Sequence, residues 1–273
     1  LMYEIFIGNK NYSSWSLRPW VLLRARGIPF VEHVKPFARG SNFDAFRAFS
    51  PSGKVPCLCD GATVVWDSLG ISEFLAERHP GLWPADAAAR TWARCAAAEM
   101  HSGFATLRNV CTMNVGLRVK LHAQPPALVA DIRRIDELWN EGLARFGGPF
   151  LAGPEFTVVD AFYCPVAYRV RTYGIDMTGK AAQYVPRLLD LPAMREWEQA
   201  ALAETWRELD HEAEALQVGV VTADYRAAAA APCRLRLGAA ATWRHHAHAV
   251  DAVPSLGGAA ERARPTGGRR PEL

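Results

Sequence analysis

The residues best placed to do chemistry lie in Tyr12-Ser13-Ser14-Trp15-Ser16-Leu17-Arg18-Pro19, directly after an apolar run and before a helical one. A helix start carries free N–H groups and a partial positive charge. A hydroxyl there can donate a hydrogen bond to an anion in front of it. A thiolate is such an anion, and donors plus a helix end lower a thiol's pKa. Taken alone, Ser13 or Ser14 is also an ordinary helix cap.

Two further segments have types and spacing that suit the same chemistry. Lys54-Val55-Pro56 follows the turn Ser50-Pro51-Ser52-Gly53. A proline opening a strand is compatible with a cis peptide, which would turn the Val55 N–H and C=O outward to pair with an extended peptide; a trans proline fits the same position. Asp67-Ser68 opens a helix, where carboxylate, hydroxyl and free N–H groups can hold the ammonium and carboxylate of an amino-acid head group, or simply cap the helix. No cysteine falls between residues 12 and 16, so thiol-transfer and disulfide chemistry at this helix start is disfavoured.

These positions need elements to hold them. Tyr3–Gly8 alternates as a first strand, and a helix follows from about Ser14 to Gly27; Pro19 is tolerable only in its first turn, which puts the helix start at about Trp15 to Arg18. Phe30–Val34 reads as a second strand and residues 41–49 as a weak helix. Val55–Cys59 and Thr63–Trp66 form a hairpin across Asp60-Gly61, and a helix runs from Asp67 or Ser68 to about His79. The order β-α-β, helix, β-β-α suits a small mixed sheet covered by helices. Pro80–Pro84 reads as a linker. Strand signals then stop, and helical patterns run over about 87–113, 126–146, 158–173 and 193–216, with Thr157-Val158-Val159-Asp160 as a capping box. The expected division is residues 2–80, a linker at 81–86, an all-helical domain at 87–222 and a tail at 223–273. The tail is rich in Ala, Arg, Gly and Pro and is expected to be disordered; His245, His246 and His248 in it read as solvated residues. A chain ending near residue 222 is therefore expected to fold as well as the full one.

Half of the 273 residues are hydrophobic and the formal charge is +3, too near neutral to point to nucleic acid or an acidic membrane. No apolar run approaches the roughly 20 residues of a membrane span. The six cysteines are irregularly spaced without a CxxC pair and are expected to be reduced, and no metal site is expected. A cytoplasmic protein is the default reading.

The combination is more specific than its parts. From about residue 3 to 216 the chain resembles the glutathione transferase superfamily, and Ser13-Ser14-Trp15-Ser16-Leu17-Arg18 resembles the Ser-Ser-Cys-x-x-Arg motif of the zeta class, in a bacterial, serine-type form. The resemblance implies a thioredoxin-like N-terminal domain, an all-α C-terminal domain, glutathione as co-substrate and a homodimer. It implies that Ser13, or as second choice Ser14, stabilises the glutathione thiolate. Lys54 would contact the glycyl end, Val55 the cysteinyl backbone, and Asp67 and Ser68 the γ-glutamyl head; Pro56 would be the cis-proline. Thr157 and Asp160 would be structural. Candidates for the site of a small hydrophobic electrophile are Trp15 and, on the long helix, Met100, His101, Phe104, Leu107 and Arg108. Trp15 replaces the zeta cysteine, which leaves three readings. They are sulfur conjugation to an electrophile, a maleylacetoacetate-like cis–trans isomerase anchored by Arg18 and Arg108, and a non-catalytic binding module of the same fold.

Overall fold

Tyr3–Ile7 (β1) and Phe30–Val34 (β2) are short apolar runs separated by a helix, Ser14–Ala25 (α1), and such a crossover brings two strands into parallel pairing, here with Tyr3 opposite Phe30 and Ile7 opposite Val34. The computed structural model describes residues 2–227. A short helix, Phe43–Arg47 (α2), leads to Cys57–Asp60 (β3), antiparallel to β1, and Thr63–Trp66 (β4) returns on β3. The sheet order is β2-β1-β3-β4. Ile5, Ile7 and Leu58 are fully buried, and Ser68–Ala76 (α3) packs against α1 on the sheet.

The remaining elements are Ala87–Ser102 (α4), Ala105–Val110 (α5), Leu117–Leu121 (β5), Pro126–Arg145 (α6), Val158–Tyr173 (α7), Gly179–Leu189 (α8), Pro192–Ala203 (α9), Leu209–Val218 (α10) and Gly219–Asp224 (β6). Helix α7 is apolar nearly all round and buried along its length, as a central helix must be. It packs against α1, α4 and α8. Its start is fixed by Asp160, whose carboxylate accepts from the N–H groups of Leu151 and Thr157 at 2.9 Å and from the Thr157 and Tyr184 hydroxyls at 3.1 and 2.6 Å. The architecture is a thioredoxin-like domain followed by a helical domain.

Several expected boundaries differ. Pro19 is the sixth residue of α1, beyond the first turn, and burial of Leu17, Pro19, Trp20 and Val21 between sheet and α7 outweighs the lost helix bond. The expected helix over 87–113 breaks at Gly103–Phe104. Phe104 has a left-handed backbone (φ 56), and a Cβ on Gly103 would stand 2.7 Å from the Glu99 carbonyl oxygen. The expected helix over 193–216 is two helices, α9 and α10, and α8 went unpredicted. The second domain is not purely helical, because β5 and β6 form an antiparallel ribbon. Of the expected tail, residues 223–227 belong to the fold. Ala223 and Asp224 pair in the ribbon, and the Arg226 side chain is almost fully buried between Glu212 and Asp224. The rest of the tail, with its three histidines, lies outside the described residues. No helix among the described residues is long and apolar enough to cross a membrane. Cys57, Cys59, Cys95, Cys111 and Cys164 are free thiols.

Candidate functional site

Between β1 and α1 the chain turns through Gly8 to Ser13, and the Lys10, Asn11 and Tyr12 groups of this turn reach partners in the helical domain. The Lys10 and Asn11 N–H groups donate to the Glu204 carboxylate at 2.7 and 3.2 Å. The Lys10 carbonyl accepts from Trp197 Nε1 at 2.8 Å. Asn11 pairs with Val115 and Gly116, and the Tyr12 hydroxyl donates to Glu212 at 2.7 Å. Asn114 and Arg226 converge on the same Glu212 carboxylate. Backbone groups taken from water this way must be paired, and here the pairing fixes the loop.

Ser13 precedes α1 but makes no side-chain cap bond; its hydroxyl donates instead to Ser16 Oγ at 2.7 Å, which also accepts the Gly8 N–H. Ser14 Oγ accepts from Arg169 Nη2 at 3.3 Å, leaving the hydroxyl proton for another acceptor. Arg169 projects from α7, almost fully buried but reaching the cleft wall, and also donates to the carbonyls of Arg108 and Cys111. Burial lowers its pKa to about 10, so it is a cation at neutral pH.

Both serines line a cleft of about 810 Å³ with Trp15, Lys54, Val55, Arg108 and Arg169. An adjoining cavity of about 410 Å³ is lined by Trp15, Lys54, Val55, Pro56, Asp67 and Ser68. The Val55–Pro56 peptide is cis. Asp67 has a positive φ of 70° and caps α3, its Oδ1 accepting from the Leu69 and Gly70 N–H groups at 2.8 and 3.4 Å. Ser68 Oγ accepts from Arg18 at 3.4 Å. Arg18 is buried behind it, its guanidinium 4.1 and 4.8 Å from the Trp15 and Phe162 rings, and burial followed by Arg108 and Arg169 lowers its pKa to about 9.

The break at Gly103 sorts the electrophile-site candidates. Trp15 and Arg108 line the large cleft, whereas Met100, Phe104 and Leu107 are core residues. His101 packs edge-on against Trp15, with Nε2 3.6 Å from Asp67 Oδ2. Burial, with Arg18 and Arg108, pushes its pKa down against the pull of Asp67. Sequence reasoning missed Arg169, His211 and Glu214 on the cleft wall, and Arg18 as a buried neighbour of Ser68. Arg169 had a signal, a lone arginine in the apolar run Ala161–Val170. His211 and Glu214 come from a helix whose docking no local pattern shows.

The glutathione S-transferase N-terminal and C-terminal domain families match residues 12–78 and 86–200. A zeta-class glutathione S-transferase of Euphorbia esula is 28% identical over 171 residues, covering 61% of this chain and 76% of that protein. Maleylpyruvate isomerase of a Ralstonia species is 36% identical over 104 residues, covering 33% of this chain and 45% of that protein. Among solved structures, the theta-class glutathione S-transferase of Xanthomonas axonopodis pv. citri, with glutathione bound, superposes with a TM-score of 0.54 at 23% identity over 74% of this chain and 98% of that one. The chain belongs to the glutathione S-transferase superfamily.

Proposed function

We propose that the protein binds glutathione across the two adjoining cavities, ionises its thiol at the start of α1 and adds the sulfur to a small electrophile. The residues present fit such a ligand. The Val55 main chain would pair with the cysteinyl part beside cis-Pro56, Lys54 would take the glycyl carboxylate, and Asp67, Ser68 and the start of α3 would hold the γ-glutamyl head, with Arg18 adding positive charge behind Ser68.

The observation that carries this reading is the Ser14 hydroxyl at the N-terminus of α1, on the cleft wall, with the Arg169 cation behind it. Ser14 is therefore the favoured donor to the thiolate, in place of Ser13, whose proton is engaged by Ser16. The hydroxyl, the helix end and the buried cation all favour the charged sulfur over the neutral thiol. Orientation of two substrates supplies the rest, with no covalent enzyme intermediate.

Titrating the thiolate absorbance of bound glutathione tests this. The wild type should show a thiol pKa well below the solution value, Ser14→Ala should raise it, and Ser13→Ala should change it less. A wild-type thiol that titrates as it does in solution would sink the catalytic reading. Arg108 and Arg169 on the cleft wall also suit a dianionic substrate of a cis–trans isomerase, whereas Arg18 does not line the cleft. Turnover of maleylacetoacetate separates the two enzymes.

A further inference from the structure

His101 belongs to α4 in the helical domain, yet its ring reaches across to Asp67 at the start of α3, with Nε2 3.6 Å from Oδ2. That is longer than a hydrogen bond, so Oδ2 stays open to a ligand. Oδ1 is already committed to the Leu69 and Gly70 N–H groups. Asp67 is half-exposed, and among the described residues it is the one acidic side chain lining the 410 Å³ cavity. The other ring nitrogen of His101, Nδ1, is buried and meets no hydrogen-bond partner among the described residues. A proton on Nδ1 would be a buried donor left unpaired. A ring carrying its single proton on Nε2 avoids that and turns the N–H toward Asp67. Trp15, edge-on with centroids 5.3 Å apart, and Phe162, tilted at 6.2 Å, hold the ring in this place. The charged groups that face it are Asp67, Arg18 on α1 and Arg108 on α5, while α7 presents the uncharged Phe162 ring. Glu99, on the same helix, is engaged by Arg134 at 2.7 and 2.9 Å. Burial opposes a second proton on the ring, Asp67 favours it, and the two arginines add to the opposition. A histidine kept for packing alone would not need Nε2 turned to a carboxylate in a cavity.

We infer that His101 sets the head-group specificity of the smaller cavity: uncharged, it leaves the Asp67 carboxylate to the α-ammonium of an amino-acid head group, and protonated, it competes with that ammonium. The inference rests on the glutathione reading above, which puts the γ-glutamyl head at Asp67. A permanent cation at this place would cancel the one negative charge the cavity offers, whereas a neutral imidazole supplies a wall and a donor and cancels nothing. Ligand and proton are then antagonists. An ammonium on Asp67 disfavours the imidazolium, and the imidazolium disfavours the ammonium by the same factor. His101 is a positioning residue in this role. It acts through Asp67 and touches no reacting atom.

The test measures binding to the full chain by calorimetry with two thioether ligands, so that no thiol titrates: S-methylglutathione and its deaminated analogue, in which a glutaryl group replaces the γ-glutamyl one. At pH 7.5 the wild type should prefer S-methylglutathione by about tenfold or more. That preference should shrink as pH falls to 5, because the ring's pKa lies below the usual 6.5 and the competing proton is gained only below it. His101→Gln keeps a neutral donor but cannot titrate, so its preference should stay nearly flat to pH 5. His101→Lys puts a cation beside Asp67 at every pH and should cut the preference at pH 7.5 to about threefold or less. A preference that falls with pH in His101→Gln as it does in the wild type, or one that His101→Lys leaves at the wild-type value, would overturn the role of His101; the Gln variant carries the test if the Lys variant does not fold. A wild type that binds both ligands equally would overturn the assignment of the ammonium to Asp67. Failure of the wild type to bind either ligand would instead strike the glutathione reading itself.

Discussion

Replacing Arg169 separates charge from hydroxyl at the start of α1. Arg169 Nη2 stands 3.3 Å from Ser14 Oγ. A sulfur hydrogen-bonded to that hydroxyl lies a further ~3 Å away. Over the resulting ~6 Å, a unit positive charge favours a thiolate by about 2.8 kcal/mol at an effective dielectric of ~20, or about 2 pKa units. Arg169→Met should therefore raise the pKa of the bound thiol by about 1–2 units, allowing for solvent in the open cleft. Arg169→Lys should retain most of the effect, because it retains the charge. The Met variant also leaves the Arg108 and Cys111 carbonyls without their guanidinium donor, a loss of about 1–3 kcal/mol of stability each, so the titration belongs well below the melting temperature. The assay is thiolate absorbance against pH at saturating glutathione, with affinity measured in parallel. A folded Met variant that binds glutathione and shows the wild-type thiol pKa would refute the electrostatic argument, and with it the preference for Ser14.

Three further outcomes follow from contacts elsewhere. Asp160→Ala strands four buried donors at the start of α7 and should cost about 3–5 kcal/mol in urea unfolding, with Asp160→Asn costing less because an amide oxygen still accepts. Burial opposes ionisation of Glu212, but hydrogen bonds from Arg226 and Tyr12 and the charge of Arg226 hold its pKa below 4.5. A depressed folded pKa gives stability above about pH 4.5 that is lost as pH falls through the folded value, so melting curves between about pH 3 and pH 6 should show an acid limb that Glu212→Gln flattens. A chain ended after Thr222 loses part of β6, Arg226 and the bond from the Ala227 N–H to the Leu202 carbonyl; it should be about 3 kcal/mol less stable than one ended after Ala227, the reverse of the expectation from composition.

The N-terminal domain was legible in sequence because its signals are local. Alternation, the Asp60-Gly61 turn and the apolar periods of α1 and α3 each act within a few residues, and together they point to the small mixed sheet covered by helices that the structure has. The helical domain was less legible where local signals conflicted. Residues 117–121 alternate apolar and charged, as a strand should, but strand and ribbon partner are separated by about 100 residues and no hairpin turn marks the pairing. The break at Gly103 and the turn between α9 and α10 interrupt helical periods that continue on both sides, so periodicity alone joined them.

The site shows the same division between local and distant causes. Ser13, Ser14, Val55, Pro56, Asp67 and Ser68, which line the two cavities, could be singled out in sequence because each stands at the end of an element. Sequence could not choose between Ser13 and Ser14, since the choice turns on what lies behind each hydroxyl: Ser16, three residues away, or Arg169, which is 155 residues away. The loop that presents them is held by Glu204 and Trp197 on or beside α9 and, through Tyr12, by Glu212 on α10 and Arg226 after β6. The C-terminal elements therefore fix the backbone from which the Ser13 and Ser14 hydroxyls project, and under the proposed function a substitution at Glu204 or Arg226 should disturb thiol ionisation although neither residue lines the cleft.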